Sequence, residues 1–461
     1  MKLKEIAHAR TGDKGEISNI SVIPYDENNY EMLKEKVTET RVAEYFREIC
    51  HGKVTRYELD GIHALNFVLD KTLGGGVTRS LALDKHGKTL GMALLEMEFR
   101  AMAEDFMAAV VKRVEEQFAK SGVSESCAAF ERKDSQIEMR DGVKLHTIYY
   151  FQGKADQEEN KKYPVILTRT CYPGNDRIHR AYGEGLARRG YVYVYQYCRG
   201  REQSEGKWEP NINERNDGID TMDYLVEQPW CEILGYWGHS YTSMTGWAFA
   251  DAAEGKVAAM FLEDYGTDRF VSAYEKGCFR HDILTAWSME NAEKPVNADY
   301  RESCRYLPQI EVDEALWGQR VPSYREYITS PSPDAALWQT GWWKQLREIP
   351  SKTKVPIYLL SGWYDHHHGS SMKTWERLNE ETKQHSWLEI GAWNHFFQIC
   401  LEGKEVLHPQ NEEIPKMLEW FELTLKQKKS RRSGSVPMKS ERTGGLTSYP
   451  TDWEKKELRE A

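Results

Sequence analysis

The apolar and polar residues of this chain follow one pattern up to about residue 100 and another beyond it. In the first part, extended apolar runs at 18–25 and 76–84 flank a helical stretch at 30–49. This mixture predicts a small α+β domain. A helical pattern with one polar face follows at 101–125 and predicts a connecting helix.

Beyond residue 130 the pattern is typical of an α/β protein. Two extended runs in 137–151 are joined by Asp141 and Gly142, a pair that favours a tight hairpin turn. Apolar strands and amphipathic helices then alternate, which predicts a mostly parallel sheet with helices on both faces. The alternation is lost in one helical and aromatic stretch, which we interpret as an inserted cap. The predicted divisions are 1–100 for the α+β domain, 101–130 for a helical linker, 131–265 and 353–428 for the α/β core, 266–352 for the cap and 429–461 for a polar tail.

The composition indicates folded domains and excludes several classes of partner. Hydrophobic residues occupy 40% of the 461 positions and 15 tryptophans are present, enough for a sizeable core. The net charge of −10 argues against a nucleic-acid or anionic-membrane surface. No window approaches the ~18 apolar residues of a membrane span, and no apolar leader opens the chain. The eight cysteines are scattered without a C-x-x-C pair, so we expect a cytoplasmic protein without disulfides, structural zinc or a cofactor.

A serine between a strand and a helix is the first candidate for chemistry. In GYWGHSYTSMTGW, residues 235–247, Ser240 follows an apolar run and precedes a helical stretch. Such a turn projects a nucleophile and points the following N–H groups at developing negative charge. Gly238 relieves crowding where the strand and the helix meet. The glycine usual two residues after such a serine is missing, and a serine that only caps a helix has the same surroundings.

A nucleophilic serine needs a base and an orienting acid, which in α/β-hydrolases follow in the order Ser, Asp, His. Asp365 follows the apolar strand of VPIYLLSGWYD, and His395 follows the strand of HSWLEIGAWNH. The chain order therefore predicts Ser240 as nucleophile, His395 as general base and Asp365 as orienting acid. One of the histidines at 366–368 is an alternative base. Because adjacent side chains point in different directions, we expect no metal site there.

Seven motifs occur in a fixed order from about 131 to 428: MRDGVKLHT, TRTCYPG, CRGREQSEGKW, NDGIDTMDYLVEQPW, GHSYTSMTGW, SGWYD and IGAWNHF. This stretch resembles the cocaine-esterase and X-prolyl dipeptidyl peptidase (CocE/NonD) branch of the α/β-hydrolases. The resemblance implies the same nucleophile, base and acid. It also implies an oxyanion hole formed by a tyrosine hydroxyl and by the amide after the nucleophile, which carry over to Tyr172 and the backbone N–H of Tyr241.

The chain departs from that family's pattern in three places. The family's elbow reads G-x-S-Y-x-G, and here Ser243 replaces the last glycine. Where the family carries an aspartate before x-Arg-Gly, this chain has Tyr197, so we expect Arg199 to lack its carboxylate partner. The family also continues into a C-terminal β-sandwich. We expect the tail at 429–461 to be a remnant of the approach to that sandwich.

The first 100 residues carry a second resemblance. IAHARTGDKGEISNISVI and GIHALNFVLDKTLGGGVTRSLALDKHGKTLGMALLEMEF are similar to the ferredoxin-like domain of acyclic terpene utilisation (AtuA-type) proteins. The resemblance implies a ferredoxin-like fold and no defined catalytic role. Polar residues including Arg10 and Lys14 crowd a glycine-bearing loop after a strand, where they could hold an anion with exposed amides. A salt-bridged turn is the alternative.

We therefore expect an α/β-hydrolase with an inserted helical cap, fused to a small α+β ferredoxin-like domain. The leading hypothesis is a serine hydrolase that cleaves an ester or amide of a small organic acid through an acyl-enzyme. The alternatives are an X-Pro dipeptidyl-peptidase, for which the sequence offers no evident acidic site for a substrate amino terminus, and a lapsed hydrolase fold that acts as a binding module. We expect a small-molecule substrate and neither a nucleic-acid nor a membrane partner, and homo-oligomerisation is left open. Five aromatic residues of the cap are predicted either to line an apolar acyl pocket or to form the cap's own core: Trp287, Trp317, Trp338, Trp342 and Trp343.

Overall fold

The computed structural model of the chain forms two compact units, Met1–Val110 and Val111–Ala461. It describes residues 2–76, 78–97, 103–127, 129–153, 161–174, 176–292, 299–401, 404–407 and 412–426. The predicted polar tail at 429–461 lies outside the described residues. Nowhere in the described part is a helix long and apolar enough to cross a membrane.

The first unit is a four-stranded antiparallel sheet with three short helices. Its elements are β1 (Ala7–Lys14), β2 (Ile17–Pro24), α1 (Tyr30–Lys36), α2 (Glu39–Tyr45), β3 (Val54–Leu59), β4 (Ala64–Leu69) and α3 (Leu90–Leu95). The strand order is β1-β2-β4-β3. Ile20 and Val22 of β2 are fully buried in one core with Leu33 of α1 and Leu94 of α3. The predicted α+β ferredoxin-like class is confirmed for this unit.

Two local predictions for the first unit are wrong. The apolar run at 76–84 forms turns in its described residues, and Leu81 and Leu83 are fully exposed. The three glycines at 74–76 all have positive φ, which turns the chain where a strand would have to begin. The glycine-bearing loop expected around Arg10 and Lys14 is a regular hairpin instead, because β1 continues to Lys14, which pairs with Ile17 of β2.

The second unit is built on an eight-stranded sheet. The strands beyond residue 110 are β5 (Phe130–Glu138), β6 (Lys144–Gln152), β7 (Tyr163–Thr170), β8 (Val192–Tyr197), β9 (Cys231–His239), β10 (Val257–Glu263), β11 (Tyr274–Glu275), β12 (Cys278–Phe279), β13 (Ile357–Gly362), β14 (Trp387–Gly391), β15 (Gln398–Leu401) and β16 (Lys404–Leu407). The large sheet has the order β14-β13-β10-β9-β7-β8-β6-β5. Its neighbours are parallel except β5 with β6 and β6 with β8. The predicted mostly parallel sheet is confirmed, and Gly142, with a φ of 84°, lies in the turn between β5 and β6.

Helices cover both faces of this sheet. They are α4 (Ala103–Lys120), α5 (Asp176–Arg188), α6 (Glu214–Val226), α7 (Tyr241–Trp247), α8 (Arg269–Ala273), α9 (Ala286–Glu290), α10 (Tyr300–Arg305), α11 (Val312–Ala315), α12 (Pro322–Ile328), α13 (Ala336–Gln339), α14 (Gly341–Lys352), α15 (His368–Arg377), α16 (Glu380–Lys383) and α17 (Glu413–Phe421). Tyr236 and Trp237 of β9 enter two different core clusters, as expected for a sheet buried on both faces. The predicted connecting helix is α4, and its Phe118 packs into one of these cores.

The predicted cap over 266–352 consists of the short helices α8 to α14 and the two-residue strands β11 and β12. Trp317 is fully buried with Tyr324 in a small core of the cap. Trp338 and Trp343 are buried in the larger core below it, and Trp342 packs against that core. These four tryptophans therefore stabilise the cap and its base, so the core alternative describes them.

Arg199 has two carboxylate partners even though Tyr197 replaces the aspartate of the family pattern. Its Nε and Nη2 donate to Asp217 of α6 at 2.8 and 2.7 Å, and its Nη1 donates to Asp141 at 2.7 Å. The predicted loss of a partner is wrong, since the carboxylates come from a helix and a hairpin turn. Asp217 is 1% exposed, so this ion pair lies in a medium of low polarity.

We expect Asp217→Ala to destabilise the second unit by about 1.5–3 kcal/mol, the cost of losing hydrogen bonds to a charged group, because Arg199 keeps the more exposed Asp141 as a partner. Asp220→Ala is the matched control on the same helix, since Asp220 pairs with the more exposed Arg140. Its cost should stay within about 1 kcal/mol. Urea denaturation of both variants measures the difference, and equal costs would contradict the buried role of Asp217.

Candidate active site

Ser240 lies at a strained turn between β9 and α7. Its φ and ψ of 56° and −125° fall in a region that non-glycine residues rarely occupy. The Ser240 N–H donates to the Glu263 carbonyl oxygen at 3.0 Å, which fixes the turn to the end of β10. A Cβ atom at Gly238 would stand 2.2 Å from the Thr242 carbonyl oxygen, so only glycine allows this close approach. The geometry is that of a nucleophile elbow.

The loops after β13 and β14 are hydrogen-bonded to each other. The Trp363 N–H donates to the Gly391 carbonyl oxygen at 2.8 Å, and the Tyr364 N–H donates to that of Trp393 at 3.1 Å. Asp365 lies in the first loop and His395 in the second. The backbone bonds hold the two side chains at the carboxyl edge of the sheet, where the elbow also lies.

Ser240, His395 and Asp365 form one hydrogen-bonded chain. His395 Nε2 lies 2.8 Å from Ser240 Oγ, and His395 Nδ1 lies 2.5 Å from Asp365 Oδ2. The His367 N–H donates to the other oxygen of Asp365 at 2.5 Å. Burial alone would raise the pKa of Asp365, but the charge of His395 and its hydrogen bond hold that pKa below its ordinary value. An ionised Asp365 fixes the proton of His395 on Nδ1 and leaves Nε2 free to accept the serine proton.

The adjacent histidines have other partners. The rings of His366 and His395 stack with centroids 4.1 Å apart, and His367 Nδ1 lies 2.9 Å from Ser272 Oγ. The structure therefore brings His395, and none of these three, to Ser240. Ligand atoms of Asp365, His366 and His395 lie within 4.8 Å of one another, a set that could hold a metal ion. Both ring nitrogens of His395 already face Asp365 and Ser240, so a metal would compete with that chain.

Tyr172 and Tyr241, the two residues predicted to form the oxyanion hole, lie close to each other, with ring centroids 6.2 Å apart. Burial raises the pKa of Tyr172, so its hydroxyl keeps its proton. Hydrogen bonding with Ser240, with Trp287 and with the Tyr241 backbone opposes this rise. Tyr172, Ser240 and Tyr241 line one cavity. The Tyr241 hydroxyl donates to Glu214 at 2.9 Å, and this bond holds Tyr241 in place at the start of α7.

Ser240 opens into a cavity of about 670 Å³ between the sheet edge and the cap. Trp287 is the member of the five predicted tryptophans that lines it, with Ile283 and Phe396 as other apolar residues. Tyr172, Tyr241 and His395 line it as well. The cavity is large enough for a small organic substrate.

The two acids at the end of β10 were not recognised from the sequence. Glu263 and Asp264 are almost fully buried, and Trp237 Nε1 donates to Glu263 at 2.6 Å. His239 Nε2 lies 3.5 Å from Asp264 Oδ2. The sequence did indicate them, because a Glu-Asp pair at the carboxyl end of a central strand lies at the edge of the sheet where the elbow forms.

The elbow tolerates Ser243 in place of the family's glycine. Ser243 is fully buried in α7, and its N–H donates to the Ser240 carbonyl oxygen at 2.9 Å. The glycine that permits close packing is Gly246, where a Cβ atom would stand 2.4 Å from the Tyr236 ring. The small residue needed at the helix–strand contact is therefore three positions further along.

Arg10 and Lys14 are exposed residues of β1, four positions apart. At ~3.3 Å per residue their Cα atoms are about 13 Å apart, so the strand does not bring them to one point. Asp13 between them binds Lys88 at 2.6 Å and His86 at 3.1 Å. The salt-bridged alternative thus describes Asp13, and anion binding by Arg10 and Lys14 stays a prediction.

Both units match family models. Residues 1–100 match the AtuA ferredoxin-like domain, and residues 141–397 match the X-Pro dipeptidyl-peptidase (S15 family) model. The elbow, the sheet order and the cap define an α/β-hydrolase. Because the second match covers more than half of the chain, this protein belongs to the S15 family, and the predicted resemblance is confirmed.

Individual relatives agree with this classification. Cocaine esterase of Rhodococcus sp. (strain MB1 Bresler) is 24% identical over an alignment of 284 residues, and the match covers 56% of this chain and 48% of that protein. The chain thus spans about half the length of this curated relative. An α-amino acid ester hydrolase superimposes with a TM-score of 0.53 at 20% identity, covering 66% of this chain and 56% of its own. An aminopeptidase from a marine-sediment Thaumarchaeota archaeon gives 0.51 at 19% identity, covering 67% and 56%. These two structures show the fold.

Asp264 should make stability depend on pH. Burial raises its pKa well above the ordinary value, and the nearby charge of Asp365 adds to the rise. A carboxyl whose pKa is higher in the folded state contributes full stability below its unfolded pKa of about 3.9, and this contribution is lost as pH rises through the folded pKa. Asp264→Asn removes the titration and suits the positive φ of 47°.

We expect Asp264→Asn to raise the free energy of unfolding by more at pH 9 than at pH 5, because the cost of the native carboxyl grows as the pH rises from its unfolded pKa towards its folded pKa. Urea titrations at the two pH values measure the difference. Asp334→Asn, at an exposed position of the cap, is the control and should show no such growth. A gain for Asp264→Asn that is independent of pH would contradict the buried, protonated carboxyl.

Proposed function

We propose that the protein is a serine hydrolase that cleaves an ester or amide of a small organic acid through an acyl-enzyme. The observation that carries the proposal is the hydrogen-bonded chain from Ser240 through His395 to Asp365 at the wall of a cavity. Membership of a hydrolase family supports it. We also propose that the protein is located in the cytoplasm.

In the first half-reaction, Ser240 Oγ attacks the substrate carbonyl carbon while His395 Nε2 takes the serine proton. Asp365 stabilises the imidazolium that forms, because its ionised carboxylate accepts the Nδ1 hydrogen bond. The tetrahedral intermediate then collapses, and the leaving alcohol or amine departs with the proton from His395. The acyl group remains on Ser240 as an ester.

The oxyanion of the intermediate needs donors that are already in place. In this proposal the Tyr172 hydroxyl and the Tyr241 N–H supply two, and the lining of the cavity by both residues and Ser240 supports it. Since burial raises the pKa of Tyr172, its hydroxyl donates a hydrogen bond to the oxyanion and stays protonated. In the second half-reaction, His395 takes a proton from water, the resulting hydroxide attacks the acyl carbon, and Ser240 leaves with the proton returned by His395.

The cavity offers little support for an X-Pro dipeptidyl-peptidase. That activity requires free carboxylates for the substrate ammonium group. Among the described residues that line the cavity, Asp282 is the carboxylate, and Arg280 binds its two oxygens at 2.9 and 2.6 Å. An ester or amide without a free amino terminus fits these charges better.

The proposal predicts a covalent adduct on Ser240. A fluorophosphonate probe should label this residue, as mapped by mass spectrometry, and Ser240→Ala should lose both labelling and hydrolysis of p-nitrophenyl acetate. Ser243→Ala is the matched control, since its hydroxyl is buried on the same helix and has no hydrogen-bond partner among the described residues. A folded wild-type protein that is never labelled would favour the lapsed-hydrolase alternative.

Tyr172→Phe should lower kcat by about 10²–10³, because one oxyanion donor is lost while the ring stays in place. KM should change little. Tyr274→Phe serves as the control, since the Tyr274 hydroxyl donates to the Tyr327 carbonyl oxygen within the cap. Steady-state kinetics on p-nitrophenyl acetate separate the two parameters, and an unchanged kcat would remove Tyr172 from the mechanism.

A further inference from the structure

Arg269 is a buried cation at the cavity. Its residue is 6% exposed and lines the same cavity as Ser240. Its Nε has no hydrogen-bond partner among the described residues, and no described carboxylate lies within ion-pair distance of its guanidinium. A buried guanidinium without an anion is costly, so the folded protein gains when an anion enters the cavity.

The guanidinium is held by aromatic rings. Its Cζ lies 5.2 Å from the ring centroid of Tyr327 and 5.9 Å from that of Trp343. Such contacts stabilise a cation and fix its orientation without neutralising its charge. Arg269 is therefore positioned by neutral groups and keeps its full charge for a ligand.

The neighbouring carboxylates bind other arginines. Asp268, the preceding residue, binds Arg377 Nη1 at 2.8 Å. Asp282, which also lines the cavity, binds Arg280 at 2.6 Å. Neither carboxylate therefore neutralises Arg269.

A second polar group at the cavity also lacks partners. Asn211 is 1% exposed, and neither its side-chain oxygen nor its nitrogen has a hydrogen-bond partner in the described part of the chain. Its backbone N–H donates to the Tyr241 hydroxyl at 2.9 Å, which holds the residue in place. Buried amides are nearly always hydrogen-bonded, so an unpaired one beside a cavity indicates a polar ligand.

We propose that the substrate carries a free carboxylate, which the Arg269 guanidinium binds inside the cavity while Ser240 attacks the ester or amide. This inference rests on the proposed function and adds the substrate class. The apolar residues Ile283 and Trp287 would contact the carbon chain between the carboxylate and the scissile bond. The carboxylate can belong to the acyl group or to the leaving group, and the experiment separates these two.

Four esters test the proposal on the full chain. p-Nitrophenyl hydrogen adipate carries the carboxylate on the acyl side, and methyl p-nitrophenyl adipate is its neutral match. 4-Acetoxybenzoate carries it on the leaving group, and methyl 4-acetoxybenzoate is its neutral match. We expect kcat/KM for one of the two anionic esters to exceed that of its neutral match by tenfold or more. The proposal is overturned if neither anionic ester exceeds its own neutral match in kcat/KM by tenfold.

Arg269→Gln should lower kcat/KM for the preferred anionic ester by about 10- to 100-fold, the range for losing a hydrogen bond to a charged group. The neutral ester should change by less than about threefold. Arg347→Gln is the matched control, because Arg347 is a half-buried cap arginine whose Nη2 donates to the neutral Gln339 at 3.0 Å and which is not among the described residues that line the cavity. Equal losses on anionic and neutral esters in Arg269→Gln would contradict a role in recognising charge.

A binding measurement keeps the proposal testable where catalysis fails or where Arg269→Gln does not fold. Ser240→Ala protein should bind monomethyl adipate in calorimetry and should not bind dimethyl adipate. Binding without labelling of Ser240 in the wild type would retain the carboxylate site and refute the hydrolase. Labelling of Ser240 with equal affinity for the two adipates would retain the hydrolase and refute the carboxylate site.

Discussion

Where β9 and α7 meet, there is no room for a side chain at positions 238 and 246. A Cβ atom on Gly238 would stand 2.2 Å from the Thr242 carbonyl oxygen, and one on Gly246 would stand 2.4 Å from the Tyr236 ring. This tight contact forces Ser240 into its positive φ and directs its hydroxyl away from the sheet. The Tyr241 N–H, the His395 ring and the cavity all take their positions relative to that hydroxyl.

The sheet explains why distant residues meet at this junction. Strands β9, β10, β13 and β14 are consecutive in the sheet and all run parallel. Their carboxyl ends therefore form one edge, and each end supplies a polar group to the site. The same arrangement buries acids such as Asp264, because the central strands leave little access to water at that edge. The meeting of polar groups at the site and the raised pKa of Asp264 therefore both follow from the order of the parallel strands.

The alternation of strands and helices and the chain order of Ser, Asp and His made much of this structure predictable. The alternation of apolar strands and helices gave the sheet, and the motifs gave the residues that the structure joins at Ser240. The partners of Arg199 were not predictable, because Asp141 and Asp217 are remote in sequence and only the fold brings them to the guanidinium. Arg269 was missed for the opposite reason. Its importance lies in a partner that it lacks, and a sequence shows residues but not the unpaired charge that results from their packing.

The backbone bonds between the loops of Asp365 and His395 have a consequence for how such a protein can change over evolution. Trp363 with Gly391, and Tyr364 with Trp393, connect the two loops without any contribution from 266–352. Residues 266–352 contact the Asp365 loop through Ser272, which lies 2.9 Å from His367 Nδ1, but they take no part in these backbone bonds. On the proposed function, substitutions at Arg269 or Trp287 alter which substrate is accepted while the backbone bonds between the two loops remain. Diversification of substrate preference is then open to single mutations in 266–352.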